Sequence, residues 1–148
     1  MNKKAEKLRV YLAENKFSAR VTELADQLNT MYITITANEG RKYVLQLDDT
    51  DFVCCLCVLA QNIDVQNEKN MPIYRLCNEL SEERRVFHYM VNPSGMLEVL
   101  FSDYVTDAEF DPAVLINYCC MVDEAVEEDL PKFVSLLEQA VLKETPNA

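Results

Sequence analysis

From Met31 to Thr36 apolar and polar positions alternate, with Met31, Ile33 and Ile35 on one face and Tyr32, Thr34 and Thr36 on the other. Asn38-Glu39-Gly40 follows, a turn signal because glycine takes a positive φ without steric cost. Lys42 to Leu47 then alternates again, bringing Tyr43, Leu45 and Leu47 into register on one face. The pattern predicts a β-hairpin. Beyond the polar turn Asp48 to Asp51, Phe52 to Ala60 is apolar on both faces, as expected of a strand that is covered on two sides or central in a sheet. A second hairpin is predicted from Arg84 to Val91, turning at Asn92-Pro93-Ser94-Gly95 and returning as Met96 to Val105. Its return strand sets Leu97, Val99 and Phe101 against Glu98 and Ser102, so one side should be wet.

Helical periods separate and follow these strands. Asn2 to Asn15 reads as an amphipathic helix with Leu8, Tyr11 and Leu12 at helical spacing. Phe17 to Asn29 supports two readings: Thr22 to Leu28 has helical composition, whereas Ala19 to Leu24 alternates like a strand. Pro72 suits the first turn of a helix, and Ile73, Leu76, Cys77 and Leu80 give it one apolar stripe. Asp111 as N-cap with Pro112 at the first helical position starts a long C-terminal helix. Its expected buried stripe is Val114, Leu115, Tyr118, Val122, Ala125 and Val126, and its expected solvent face is Asp123, Glu124, Glu127, Glu128 and Asp129. Pro131 should kink or interrupt it before Phe133, Val134, Leu137, Ala140 and Val141 resume the pattern.

These elements add up to an α+β fold. A twisted antiparallel sheet of about five strands, containing two hairpins, would be packed by the long C-terminal helix and two further helices. At 148 residues, with no repeat, linker or low-complexity tract, residues 1–148 read as one domain.

Charge narrows the partners. With 14 Lys+Arg against 25 Asp+Glu the net charge is −11, and the sole basic cluster, Lys3, Lys4, Lys7 and Arg9, is short and contains Glu6. Such a chain repels phosphate backbones, so no nucleic-acid partner is expected. No stretch reaches the roughly 20 apolar residues of a membrane span, and the N-terminal Met-Asn-Lys-Lys-Ala-Glu-Lys is not followed by the apolar segment of a signal peptide. The expectation is a cytoplasmic protein with reduced thiols and no membrane partner.

Candidate chemistry is sparse. Cys55 and Cys57 would share one face of a strand, with Cys54 on the other, and such a cluster could start a metal or redox site. The opposing reading is that all six cysteines are small core residues, since free Cys is among the most buried types. Cys119 and Cys120, adjacent on a helix, should point into different surroundings. The only histidine, His88, shares a strand face with Val86 and Met90, and a catalytic role would need an orienting partner that the sequence does not offer. Asp48, Asp49 and Asp51 fail the calcium-loop pattern, because Val53 and Leu59 occupy the places that need Gly and Glu. Both glycines, Gly40 and Gly95, fall in hairpin turns, leaving no phosphate loop. No catalytic, cofactor or metal residues are assigned, and the chain reads as a non-enzyme.

Certain segments resemble the YbjN family of bacterial proteins, sometimes labelled sensory transduction regulators: Arg41-Lys-Tyr-Val-Leu-Gln-Leu-Asp48, Arg75-Leu-Cys-Asn78, Val86-Phe-His-Tyr89 and Leu97-Glu-Val-Leu-Phe101. Asn78 sits where that family's helix-end asparagine usually precedes the second hairpin. The resemblance implies a fold like that of type III secretion chaperones. It also implies a chaperone-like or regulatory protein without catalysis, acting on a protein partner or on its own dimer mate. On the residues themselves, Tyr32, Val44, Leu100 and Tyr104 are the candidate partner-binding positions, because they fall opposite the clearer core rows. A thiol-based metal or redox protein using Cys54, Cys55 and Cys57 is the alternative, and a small-molecule hydrolase using His88 is the least supported.

Overall fold

The computed structural model describes residues 2–17, 19–24 and 29–144. Its strands are β1 (Ala19–Glu23), β2 (Met31–Thr36), β3 (Lys42–Leu47), β4 (Phe52–Ala60), β5 (His88–Val91) and β6 (Leu97–Tyr104). They form one twisted antiparallel sheet in the order β1-β2-β3-β4-β6-β5. Its helices are α1 (Lys3–Glu14), α2 (Met71–Arg84) and α3 (Pro112–Glu138). The fold is α+β, with six strands in place of the expected five or so. The additional strand is β1, so the alternating reading of Ala19 to Leu24 prevailed, while residues 25–28 of the helical reading lie outside the described residues.

The chain divides into two compact units: residues 1–57 with 101–123, and residues 58–100 with 124–148. In the first unit, β2 and β3 alternate as their sequence predicts. The register stacks Ile35, Tyr43 and Cys57 in one row, Ile33, Leu45 and Cys55 in the next, and Met31, Leu47 and Val53 in a third. All nine side chains are buried. α1 seals this unit with Ala5, Leu8 and Leu12. Asn2 caps the helix by accepting from the Ala5 N–H at 3.0 Å, and its amide donates to the Leu47 carbonyl at 2.7 Å. Lys4, a member of the N-terminal basic cluster, is fully buried. Its ammonium donates to the Thr50 carbonyl at 2.6 Å and to Asp107 Oδ1 at 2.7 Å, which holds the Asp107 carboxyl below its ordinary pKa. A buried lysine is tolerable only when paired and hydrogen-bonded in this way.

In the second unit, α2 buries Ile73, Cys77 and Leu80 as the stripe predicts. Asn78, expected at a helix end, lies exposed within α2. The hairpin strand starts at His88 rather than Arg84, because Arg84 closes α2 and Arg85 turns the chain at φ 65°. The turn follows its sequence signal: the Asn92 carbonyl accepts from the Gly95 N–H at 2.9 Å, and Asn92 Oδ1 accepts from the N–H groups of Ser94 and Met96. Gly95 is required twice over. Its φ is +85°, and a Cβ there would lie 2.3 Å from the Ile63 carbonyl oxygen. Glu98, expected on a wet face, is buried and accepts from the Asn92 amide at 3.3 Å. Asn70, also buried, pins the C-terminal segment: its amide donates to the Val141 carbonyl at 2.8 Å and its oxygen accepts from the Val141 N–H at 2.9 Å.

α3 begins as predicted, with Asp111 Oδ1 accepting from the Ala113 N–H at 3.0 Å. Two features differ. Val114 is 63% exposed rather than in the buried stripe, and Ile116 and Cys119 take its place. The helix also runs through Pro131 without interruption. Proline removes one helical N–H there, but Asp129 and Phe133 on either side are fully buried and held by neighbours, so the turn between them is fixed from outside.

Candidate functional site

The face of the sheet opposite the buried rows distinguishes the first unit. Cross-strand pairing aligns Tyr32 with Gln46 and Gln46 with Cys54, and aligns Thr34 with Val44 and Val44 with Leu56. These side chains are half-buried. Phe52, two residues before Cys54 on the same strand face, is 51% exposed, and Tyr104 is 63% exposed. Their rings meet edge to face at 5.5 Å and an interplanar angle of 78°. β4 is therefore a central strand with one buried face and one half-open face, not a strand covered on both sides.

Of the predicted partner-binding positions, Tyr32, Val44 and Tyr104 belong to this unit and lie on this face. Leu100 belongs to the other unit, where it is half-buried and pairs with His88. Phe52 and Leu56 were not singled out from sequence. The signal was present, since they fall on the even-numbered positions of a run that is apolar on both faces.

His88 is exposed between buried Phe87 and Tyr89, a strand residue on the open side with Met90. The thiols separate by environment. Cys55, Cys57, Cys77 and Cys119 are buried, Cys54 is half-buried and Cys120 is exposed, so the expectation of six core cysteines holds for four. Burial pushes the Cys57 thiol up to about 11 and the Cys77 thiol up to about 12. A hydrogen bond with the Cys119 thiol, together with burial, raises Cys55 well above its ordinary value. Raised thiols are poor nucleophiles and poor metal ligands, because both roles need the thiolate. Among the described residues no group of three or more His, Cys, Asp or Glu side chains is placed to hold a metal ion.

The acidic side of α3 departs furthest from expectation. Asp123 and Asp129, predicted to face solvent, are buried. In the first unit Arg41 donates from Nε to Asp123 Oδ1 at 2.6 Å and from Nη2 to Oδ2 at 3.2 Å, and the Tyr43 hydroxyl adds a bond to Oδ1 at 2.6 Å. In the second, Arg84 donates from Nη2 to Asp129 Oδ1 at 2.7 Å and from Nε to Oδ2 at 3.0 Å, and the Tyr89 hydroxyl donates to Oδ2 at 2.7 Å. Burial, reinforced by the carboxylate each phenol bonds, raises both tyrosines far above their ordinary pKa. In both clusters each carboxylate oxygen accepts from the arginine, and one of the two also from the phenol, so both clusters clamp α3 to the rest of their unit.

A model of the YbjN family, described as "Putative bacterial sensory transduction regulator", matches residues 4–135. No curated protein and no solved structure matches the chain.

Proposed function

The chain belongs to the YbjN family, and from that membership and the half-open sheet face we propose a non-enzymatic regulatory protein that binds a protein partner in the bacterial cytoplasm. The single observation that carries this reading is the exposed Phe52–Tyr104 ring pair beside the half-open row of Val44 and Leu56. Aromatic side chains supply much of the energy of protein interfaces, and a monomer gains nothing by leaving two of them in contact with water. An apolar segment of the partner would cover the rings and the positions Tyr32, Val44 and Leu56. Leu100 would serve a corresponding role on the other unit, and a second copy of this chain is the simplest partner to test. The raised thiols weigh against the metal or redox alternative at Cys54, Cys55 and Cys57.

Truncating a central interface aromatic costs about 2 kcal/mol or more, roughly thirtyfold in affinity. The test compares tagged full-length chain with its Phe52→Ser/Tyr104→Ser double variant, both for proteins retained from the native host and for mass in solution by light scattering. The expected result is a partner, or a dimer, held by the parent chain and lost from a double variant of unchanged melting temperature. A partner retained equally by both chains contradicts the reading.

A further inference from the structure

The two edges of the sheet are finished differently. β5 lies at one edge, and α2 covers it: the Tyr89 N–H donates to Ser81 Oγ at 2.9 Å. β1 lies at the other, and Ala19, Arg20, Val21 and Thr22 are all exposed. Its polarity follows from the ladder. The Leu24 N–H donates to the Thr30 carbonyl at 3.0 Å, which makes that a hydrogen-bonded pair. With the period of two of an antiparallel ladder, Thr22 and Arg20 are then the residues bonded to β2, and the N–H and C=O groups of Ala19, Val21 and Glu23 point away from the sheet. β1 is short and carries the charged Arg20, but it has no proline, no lysine and no bulge in its register, so its outward backbone groups remain open to pairing.

The side chains specify the occupant. Val21 is 40% exposed on the face of the buried rows, in line with Ile33 and Leu45. Arg20 lies on the opposite face, in line with Thr34 and Val44. Cross-strand neighbours share a face, so a strand laid against β1 meets Val21 with one residue and Arg20 with the next. We propose that β1 is a strand-addition site for an extended segment of another protein in which apolar and acidic residues alternate. The apolar residue extends the Val21 row, an acidic one pairs with Arg20, and the backbone exchanges bonds with Val21. A second copy of this chain is the poorer occupant, since antiparallel pairing centred on Val21 sets Arg20 against Thr22 rather than against an acidic residue.

This site is a different surface from the aromatic face, so each reading can fail alone. The probe is a capped heptapeptide alternating Glu and Val, with a Lys/Val counterpart, added to the full chain. Binding of the Glu/Val peptide with new amide-exchange protection at Val21, but none added at Thr22, supports the site. Val21→Pro removes an outward N–H without removing a bond to β2, and should weaken binding at least about tenfold, the worth of one well-made hydrogen bond. Arg20→Glu should weaken it about fivefold, on the scale of an exposed ion pair, and favour the Lys/Val peptide. Absence of binding, equal binding of both peptides, or protection unchanged at Val21 overturns the proposal. So does a dimer of the parent chain that Val21→Pro dissociates.

Discussion

Two carboxylates on one helix, each gripped by an arginine and a tyrosine, solve the same problem in the two units with different degrees of enclosure. Asp129 is wholly buried, and its tyrosine is packed in turn, with the Tyr89 ring 5.2 Å from Phe133 and 5.7 Å from Phe87. Asp123 retains 8% exposure; both arginines also reach an exposed glutamate, Arg41 to Glu39 at 3.3 Å and Arg84 to Glu128 at 3.0 Å, so the difference lies in the carboxylates. A carboxylate cut off from water depends entirely on its partners, whereas one at the margin can fall back on solvent. The same ion triad should therefore be worth more in the second unit than in the first.

Substitutions break that comparison in order of size. Asp129→Ala leaves the Arg84 guanidinium and the Tyr89 hydroxyl without their carboxylate and should cost about 3–5 kcal/mol, the range for one half of a buried ion pair. Asp123→Ala should cost about 2–3 kcal/mol, nearer the loss of charged hydrogen bonds with water available. Urea unfolding curves measure both, and equal losses would remove the distinction. The hairpin glycines sharpen it next. Gly95→Ala meets both a left-handed backbone and the Ile63 carbonyl, so it should exceed the roughly 1–2 kcal/mol of left-handed strain alone. Gly40→Ala, at φ +81° with open space around it, should cost only that strain. Tyr89→Phe and Tyr43→Phe remove one hydroxyl bond each and should cost about 0.5–1.5 kcal/mol.

The smallest effect is a pH dependence. Cys57 and Cys77 ionise at about 11 and 12 when folded, above the ordinary 9.0. Below pH 9 both states hold these protons and stability is unaffected. From pH 9 upward the unfolded chain releases them first, so stability falls as pH rises until the folded thiols ionise at about 11 to 12. Thermal melts at rising pH should show that slope, reduced in Cys57→Ala and Cys77→Ala variants. In the folded protein near neutrality, alkylation should reach Cys120 and then Cys54 well before the buried four.

β2, β3 and both turns were legible because a period of two and a positive-φ glycine are local signals, and α1 and the start of α3 because the helical period and the Asp111-Pro112 cap are local too. The buried anions were not legible. Asp123 and Asp129 sit among Glu124, Glu127 and Glu128, and composition alone assigns all five to a wet face. What separates them is the reach of Arg41 and Arg84 from distant positions in the chain, information that no window along α3 contains. The burial of Lys4 is illegible for the same reason: its carbonyl and carboxylate partners come from the turn after β3 and from Asp107. The candidate face was legible in part. Alternation located Tyr32, Val44 and Tyr104 opposite the core, but the meeting of Phe52 with Tyr104 depends on strand order, which periodicity does not determine.

A double-mutant cycle on Arg84 and Asp129, followed by urea unfolding, tests the central claim most directly. A buried, bidentate pair predicts a coupling energy of at least about 2 kcal/mol, larger than that for Arg41 and Asp123. Coupling of about 0–1 kcal/mol, as found for pairs on a solvated surface, would contradict it.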